Sequence, residues 1–100
     1  MRGYTMDRFD PATLIASDPE VVGCTLGDGS ALLNLRTNIY YSLNEVGSFV
    51  WNAVGEPVPF AHLVERVCTQ FGAPAEVVES DLTHLVRKLD AAGLVQCTLQ

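Results

Sequence analysis

The segment from Asn38 to Asn44 constrains the fold more than any other part of the sequence, because a short strand there runs directly into a helix. Ile39–Leu43 is rich in β-branched and aromatic residues, which favour an extended strand. Asn44 is a good helix N-cap, and an apolar helical pattern begins two residues after it. We interpret this strand as the last of a small meander. Such an edge strand exposes unpaired N–H and C=O groups that bind an extended chain.

Two more strands are predicted before this one. Val21–Leu26 is followed by the Gly-Asp-Gly-Ser turn at 27–30, and residues 31–35 form the next extended run. The turn at 36–38 ends on Asn38, a residue type that tolerates the left-handed conformation. Because both connections are short, the three strands must pair as antiparallel hairpins.

Three helical patterns follow the strands. Pro59 suits the start of the second helix and Gly72 its end, while the third helix is predicted to begin near Pro74. The order of three strands and then three helices predicts an α+β fold, a three-stranded antiparallel β-meander followed by three helices, similar to a winged helix. The apolar stripes of the helices are Val46, Phe49, Val50, Ala53 and Val54; then Phe60, Leu63, Val64, Val67, Cys68 and Phe71; then Val78, Leu82, Leu85, Val86 and Leu89.

The length of 100 residues, 48% of them apolar, predicts one compact domain. Residues 1–19 are irregular and are expected to be an N-terminal arm, with the folded domain spanning 20–97. We expect a cytoplasmic protein without membrane contact, since no apolar run approaches the roughly 18 residues of a membrane span and the N-terminus has no signal-peptide core.

The net charge of -6 argues against a nucleic acid partner. A winged-helix transcription regulator is the alternative from another functional class, since its fold is similar. Its recognition helix is normally basic, whereas the predicted third helix carries more acidic than basic residues.

The sequence offers no constellation typical of an enzyme. His62 and His84 lack a second metal ligand at suitable spacing, and Cys68 lies inside an apolar stripe. Three widely spaced cysteines are typical of reduced thiols. We therefore expect no catalytic residues, no metal and no cofactor.

Three segments closely resemble the PqqD-like family. They are residues 32–35, residues 40–47 and the pair Val50-Trp51; the helix patterns around Leu63-Val64 and from Asp81 to Val95 fit as well. The resemblance spans about Pro19 to Val95. Its members include stand-alone recognition elements of pathways in which a ribosomally synthesised precursor peptide is modified.

The resemblance implies a binding protein rather than a catalyst. The leader of a precursor peptide would add as a strand beside Ile39–Leu43, in a groove closed by the third helix, and be delivered to a maturation enzyme. The sequence resembles the lasso-peptide type, whose partner is a cysteine peptidase, more than the quinone-cofactor type, whose partner is a radical SAM enzyme. The residues implied for peptide binding are Asn38, Ile39, Tyr40, Tyr41, Ser42, Leu43, Val78, Asp81, Leu82, Leu85, Lys88 and Leu89.

Overall fold

A computed structural model describes residues 9–98 of the chain. It confirms the predicted α+β class, with an antiparallel meander followed by three helices, and it adds a second small sheet. The elements in chain order are β1 (Leu14–Ser17), β2 (Val21–Leu26), β3 (Gly29–Asn34), β4 (Ile39–Leu43), α1 (Glu45–Ala53), β5 (Val58–Pro59), α2 (Phe60–Phe71), α3 (Ala75–Ala91) and β6 (Val95–Thr98).

The meander has the order β2-β3-β4 with antiparallel pairing throughout. The predicted bounds of β2 and β4 are confirmed. β3 begins two residues earlier than predicted, because Gly29 pairs with Leu26 and only two residues remain in the turn. β4 is the last strand of this sheet, so one of its backbone edges has no strand partner among residues 9–98.

The core lies between the inner face of the meander and the three helices. Leu32 of β3 is completely buried, as are Val50 of α1 and Val86 of α3. Asn44 caps α1 as predicted, accepting a hydrogen bond from the backbone N–H of Gly47 at 2.9 Å. These contacts place the start of α1 directly after the edge strand.

The second sheet, β5-β1-β6, was not predicted from the sequence. β1 lies within the region predicted to be an irregular arm, yet Ile15 is completely buried in the core. Its strands are short and pair with partners far away in the sequence, so local patterns do not reveal them. The domain boundary at residue 19 stays a prediction, and the first eight residues of the arm lie outside the described part.

Asp18 joins three parts of the fold at the end of β1. Its carboxylate pairs with the Arg36 guanidinium at 2.9 Å and accepts hydrogen bonds from the Glu20 backbone N–H and from the Gln96 side chain. Arg36 is the main reason that the pKa of Asp18 is lowered from its ordinary value of 3.8. The ionised carboxylate therefore connects the two sheets.

We predict that Asp18→Asn lowers the free energy of unfolding more at pH 7 than at pH 3. A lowered pKa in the folded state stabilises the fold above the ordinary pKa of 3.8, and this stabilisation is lost as the pH falls through the folded value. Urea denaturation of both proteins at the two pH values measures the difference. An equal decrease in the free energy of unfolding at both pH values would contradict the stabilising role assigned to the Asp18 charge.

Candidate peptide-binding groove

A groove of about 350 Å³ separates the edge strand β4 from the C-terminal half of α3. The start of α1 forms one end of it. An open strand edge beside an apolar trough suits an extended peptide, because the edge supplies hydrogen bonds and the trough accepts side chains. The main groove is lined by Tyr41, Ser42, Leu43, Asn44, Gly47, Leu85, Lys88, Leu89, Ala92 and Leu94.

Side chains alternate along β4 as its pairing with β3 requires. Tyr41 pairs with the buried Leu32 and faces inward, whereas Tyr40 pairs with Leu33 and is 73% exposed on the opposite face. Asn38 adopts a φ of 59° in the turn before β4, as expected for a residue tolerant of this conformation. Of the predicted strand residues, Tyr41, Ser42 and Leu43 line the main groove, while Asn38, Ile39 and Tyr40 do not.

The structure also identifies which margin of α3 faces β4. Leu85, Lys88 and Ala92 follow one another at spacings of three and four residues and line the main groove. Leu89 is buried and also lines the groove. Ala92 was not predicted, although it continues the spacing of Leu85 and Lys88 by one further turn.

A second, smaller pocket of about 130 Å³ lies beside Val46, in the N-terminal turn of α1. Leu85 borders both cavities, so they follow one another along α3. Asp81 is exposed at the rim, whereas the predicted residues Val78 and Leu82 are buried in its floor. The second pocket is lined by Val46, Val67, Phe71, Ala73, Val77, Val78, Asp81, Leu82 and Leu85.

Asn34, at the end of β3, holds α3 against the meander. The side-chain NH2 group of Asn34 donates to the backbone carbonyl of Ala92 at 3.2 Å and lies 3.5 Å from the backbone carbonyl of Gly93. The side-chain oxygen of Asn34 accepts a hydrogen bond from the Arg36 backbone N–H at 2.9 Å. Gly93 has a φ of 74°, and a Cβ there would lie 3.1 Å from the Asn34 amide nitrogen. Sequence reasoning missed this contact, because its partners are far apart in the chain.

The described residues contain no cluster of three or more potential metal ligands. Cys24, Cys68 and Cys97 are free thiols, and burial raises the pKa of Cys97 to about 11. A thiol with so high a pKa is a poor nucleophile at neutral pH. Among the helices of residues 9–98, none is both long and apolar enough to cross a membrane.

The model of the family described as coenzyme PQQ synthesis protein D, PqqD, matches residues 29–95. The chain belongs to the PqqD family. This confirms the resemblance seen in the strand and helix segments. The match covers the meander from β3 onward, all three helices and both cavities. A search of curated proteins found no match.

Two solved structures of PqqD-like fold are similar to this protein. One is TbiB1 in complex with the TbiA(beta) leader peptide, with a TM-score of 0.73, 28% identity, and coverage of 81% of this chain and 94% of that one. The other is lasso peptide synthetase B1 complexed with the leader peptide, with a TM-score of 0.71, 20% identity, and coverage of 82% and 96%. The second likeness concerns the fold alone.

We predict that Asn34→Ala lowers the free energy of unfolding by about 1–3 kcal/mol, because buried backbone groups lose their hydrogen-bond partner. Asn52→Ala, at an exposed position on α1, is the matched control and should change stability by less than about 0.5 kcal/mol. Urea denaturation measures both values. Equal stability of the two variants would show that the Asn34 contact is dispensable.

Proposed function

We propose that this protein binds the leader segment of a ribosomally synthesised precursor peptide by strand addition to β4. The observation that carries the proposal is the backbone edge of β4, which pairs with no strand of residues 9–98 and lies beside a groove walled by α3. Strand addition uses main-chain hydrogen bonds and therefore requires no single leader sequence. The TbiB1 structure, which contains a leader peptide and is 28% identical, supports the same role here.

Specificity in this proposal comes from two apolar leader side chains. One occupies the main groove between Tyr41 and Leu85, and the other enters the second pocket beside Val46. Each well-buried anchor contributes about 1.5–3 kcal/mol before the cost of ordering the peptide. Leu85 touches both positions and is therefore the side chain on which binding depends most.

Charged residues on α3 set the register of the leader. Lys88 lines the main groove and Asp81 the rim of the second pocket, about two helical turns apart. Lys88 forms no ion pair with another residue of the described part, so it is available to a leader carboxylate. Because the Lys88 and Asp81 side chains are exposed, each ion pair with a leader charge adds only about 0–1 kcal/mol to the binding free energy.

We further propose that the bound leader is delivered to a maturation enzyme in the cytoplasm, where ribosomes produce the precursor. The resemblance of the strand and helix segments to the lasso-peptide type favours that pathway, and thus a leader-cleaving cysteine peptidase as the partner. The family's description favours the alternative, a radical SAM enzyme in quinone cofactor biosynthesis. In either pathway this protein recognises the peptide and the partner carries out the chemistry.

We predict that proline at one of the positions Tyr40 and Tyr41 weakens leader binding, whereas proline at the other lowers the stability of the fold. The backbone N–H groups of adjacent strand residues point to opposite sides, one toward β3 and one toward the free edge. Proline at the outward position should weaken leader binding by about tenfold, corresponding to roughly 1.4 kcal/mol, with little loss of stability. Proline at the inward position should chiefly destabilise the fold.

Fluorescence polarisation with a labelled leader and thermal unfolding separate these two effects. The labelled leader is taken from the candidate precursor peptides of the same genome. If neither proline affects leader binding, strand addition to β4 is wrong. If no such leader binds the wild-type protein, the functional proposal itself fails.

Leu85→Ala should weaken leader binding because it removes the wall shared by the two cavities. Deleting a partly exposed leucine also destabilises the fold, by less than the about 2–5 kcal/mol found for buried sites. Binding is therefore measured at a temperature where the variant is fully folded. Leu26→Ala, an exposed leucine at the far end of β2, is the matched control and should bind the leader normally. Equal affinities of the two variants would exclude an anchor site at Leu85.

A further inference from the structure

The outer face of the meander, directed away from the core, is unusually apolar for an exposed sheet. Val22 pairs with Leu33, and Leu33 pairs with Tyr40, so three apolar side chains form a row across the sheet. Val22 is 50% exposed and Tyr40 is 73% exposed. We define the outer face as Val22, Cys24, Leu26, Ala31, Leu33 and Tyr40.

Within residues 9–98, the outward positions of the three strands carry no charged side chain. Soluble proteins normally protect exposed strands with charges, and extended apolar patches mark interaction surfaces. A shallow depression of about 200 Å³ crosses this face between Val22 and Tyr40. The face therefore has the shape and polarity of a protein contact.

We propose that this outer face is the docking surface for the maturation enzyme, an inference that rests on the proposed function. β4 contributes Tyr41 to the groove and Tyr40 to the outer face, so the two surfaces meet along one strand. A leader added to β4 extends the sheet by one strand and places alternate side chains on the outer face. An enzyme seated there contacts the recognition protein and the leader together.

The charge pattern specifies the chemistry of the partner. Asp28 lies in the turn after β2, whereas Glu20, before β2, is near the Arg36 guanidinium, so the rim of the uncharged face is acidic chiefly at its Asp28 end. A complementary partner surface is apolar at its centre and basic at its rim. A second copy of this chain fits poorly, because each copy carries a net charge of -6.

The test uses Val22→Lys and Leu26→Lys in the full-length protein, together with the leader-cleaving cysteine peptidase proposed as its partner, taken from the same genome. Both substitutions place a charge at an exposed apolar position away from the groove, and Leu26 lies at the end of its strand, where the fold is least affected. Gln70→Lys, on the exposed side of α2, is the control with the same change in charge. Thermal unfolding verifies that each variant is folded.

We expect both outer-face variants to bind the labelled leader within about twofold of wild type and to bind the peptidase about tenfold or more weakly. The Gln70→Lys control should match wild type in both assays. Unchanged peptidase affinity in both outer-face variants would overturn the docking surface while leaving leader binding intact. A wild-type dimer in sedimentation that Val22→Lys dissociates would also overturn it, by assigning the face to self-association. Failure of wild type to bind the leader would instead defeat the proposed function.

Discussion

The hydrogen bonds of Asn34 determine how far α3 stands from the meander. Asn34 ends the central strand β3, and its side chain, 2% exposed, reaches the carbonyl groups at the end of α3. Because β4 is paired to β3 along its length, fixing α3 to β3 also fixes the distance between α3 and β4. That distance is the width of the main groove. A buried, hydrogen-bonded polar contact adds a specific position to the close packing of the apolar core.

β4 serves two surfaces because side chains alternate along a strand. Tyr41 and Leu43 face the groove, whereas Tyr40 lies on the uncharged outer face. Within the part of the chain that the structure describes, no strand pairs with the outer backbone edge of β4. One five-residue strand therefore borders both the groove and the uncharged outer face. The acidic character of the chain is consistent with this role and disfavours the winged-helix regulator.

The sequence was sufficient to predict the meander, the N-cap at Asn44 and the three helices, because each depends on local patterns of polarity and turn residues. It was not sufficient to predict β1, β5 and β6, whose pairing depends on distant partners. The same limitation applies to the groove. The periodicity of α3 places Leu85 and Leu89 in one apolar stripe, and only the packing of the helix shows that Leu85 lines both cavities while Leu89 is buried.

The central claim is that an extended leader pairs with β4 beneath α3, and an NMR titration with the leader tests it most directly. Backbone amide shifts of the labelled protein report which residues contact the peptide. We predict the largest changes along Ile39–Leu43 and at Leu85 and Lys88, together with slower hydrogen exchange at the outward amides of β4. Changes confined to β2 or α2, with β4 and α3 unaffected, would contradict the account.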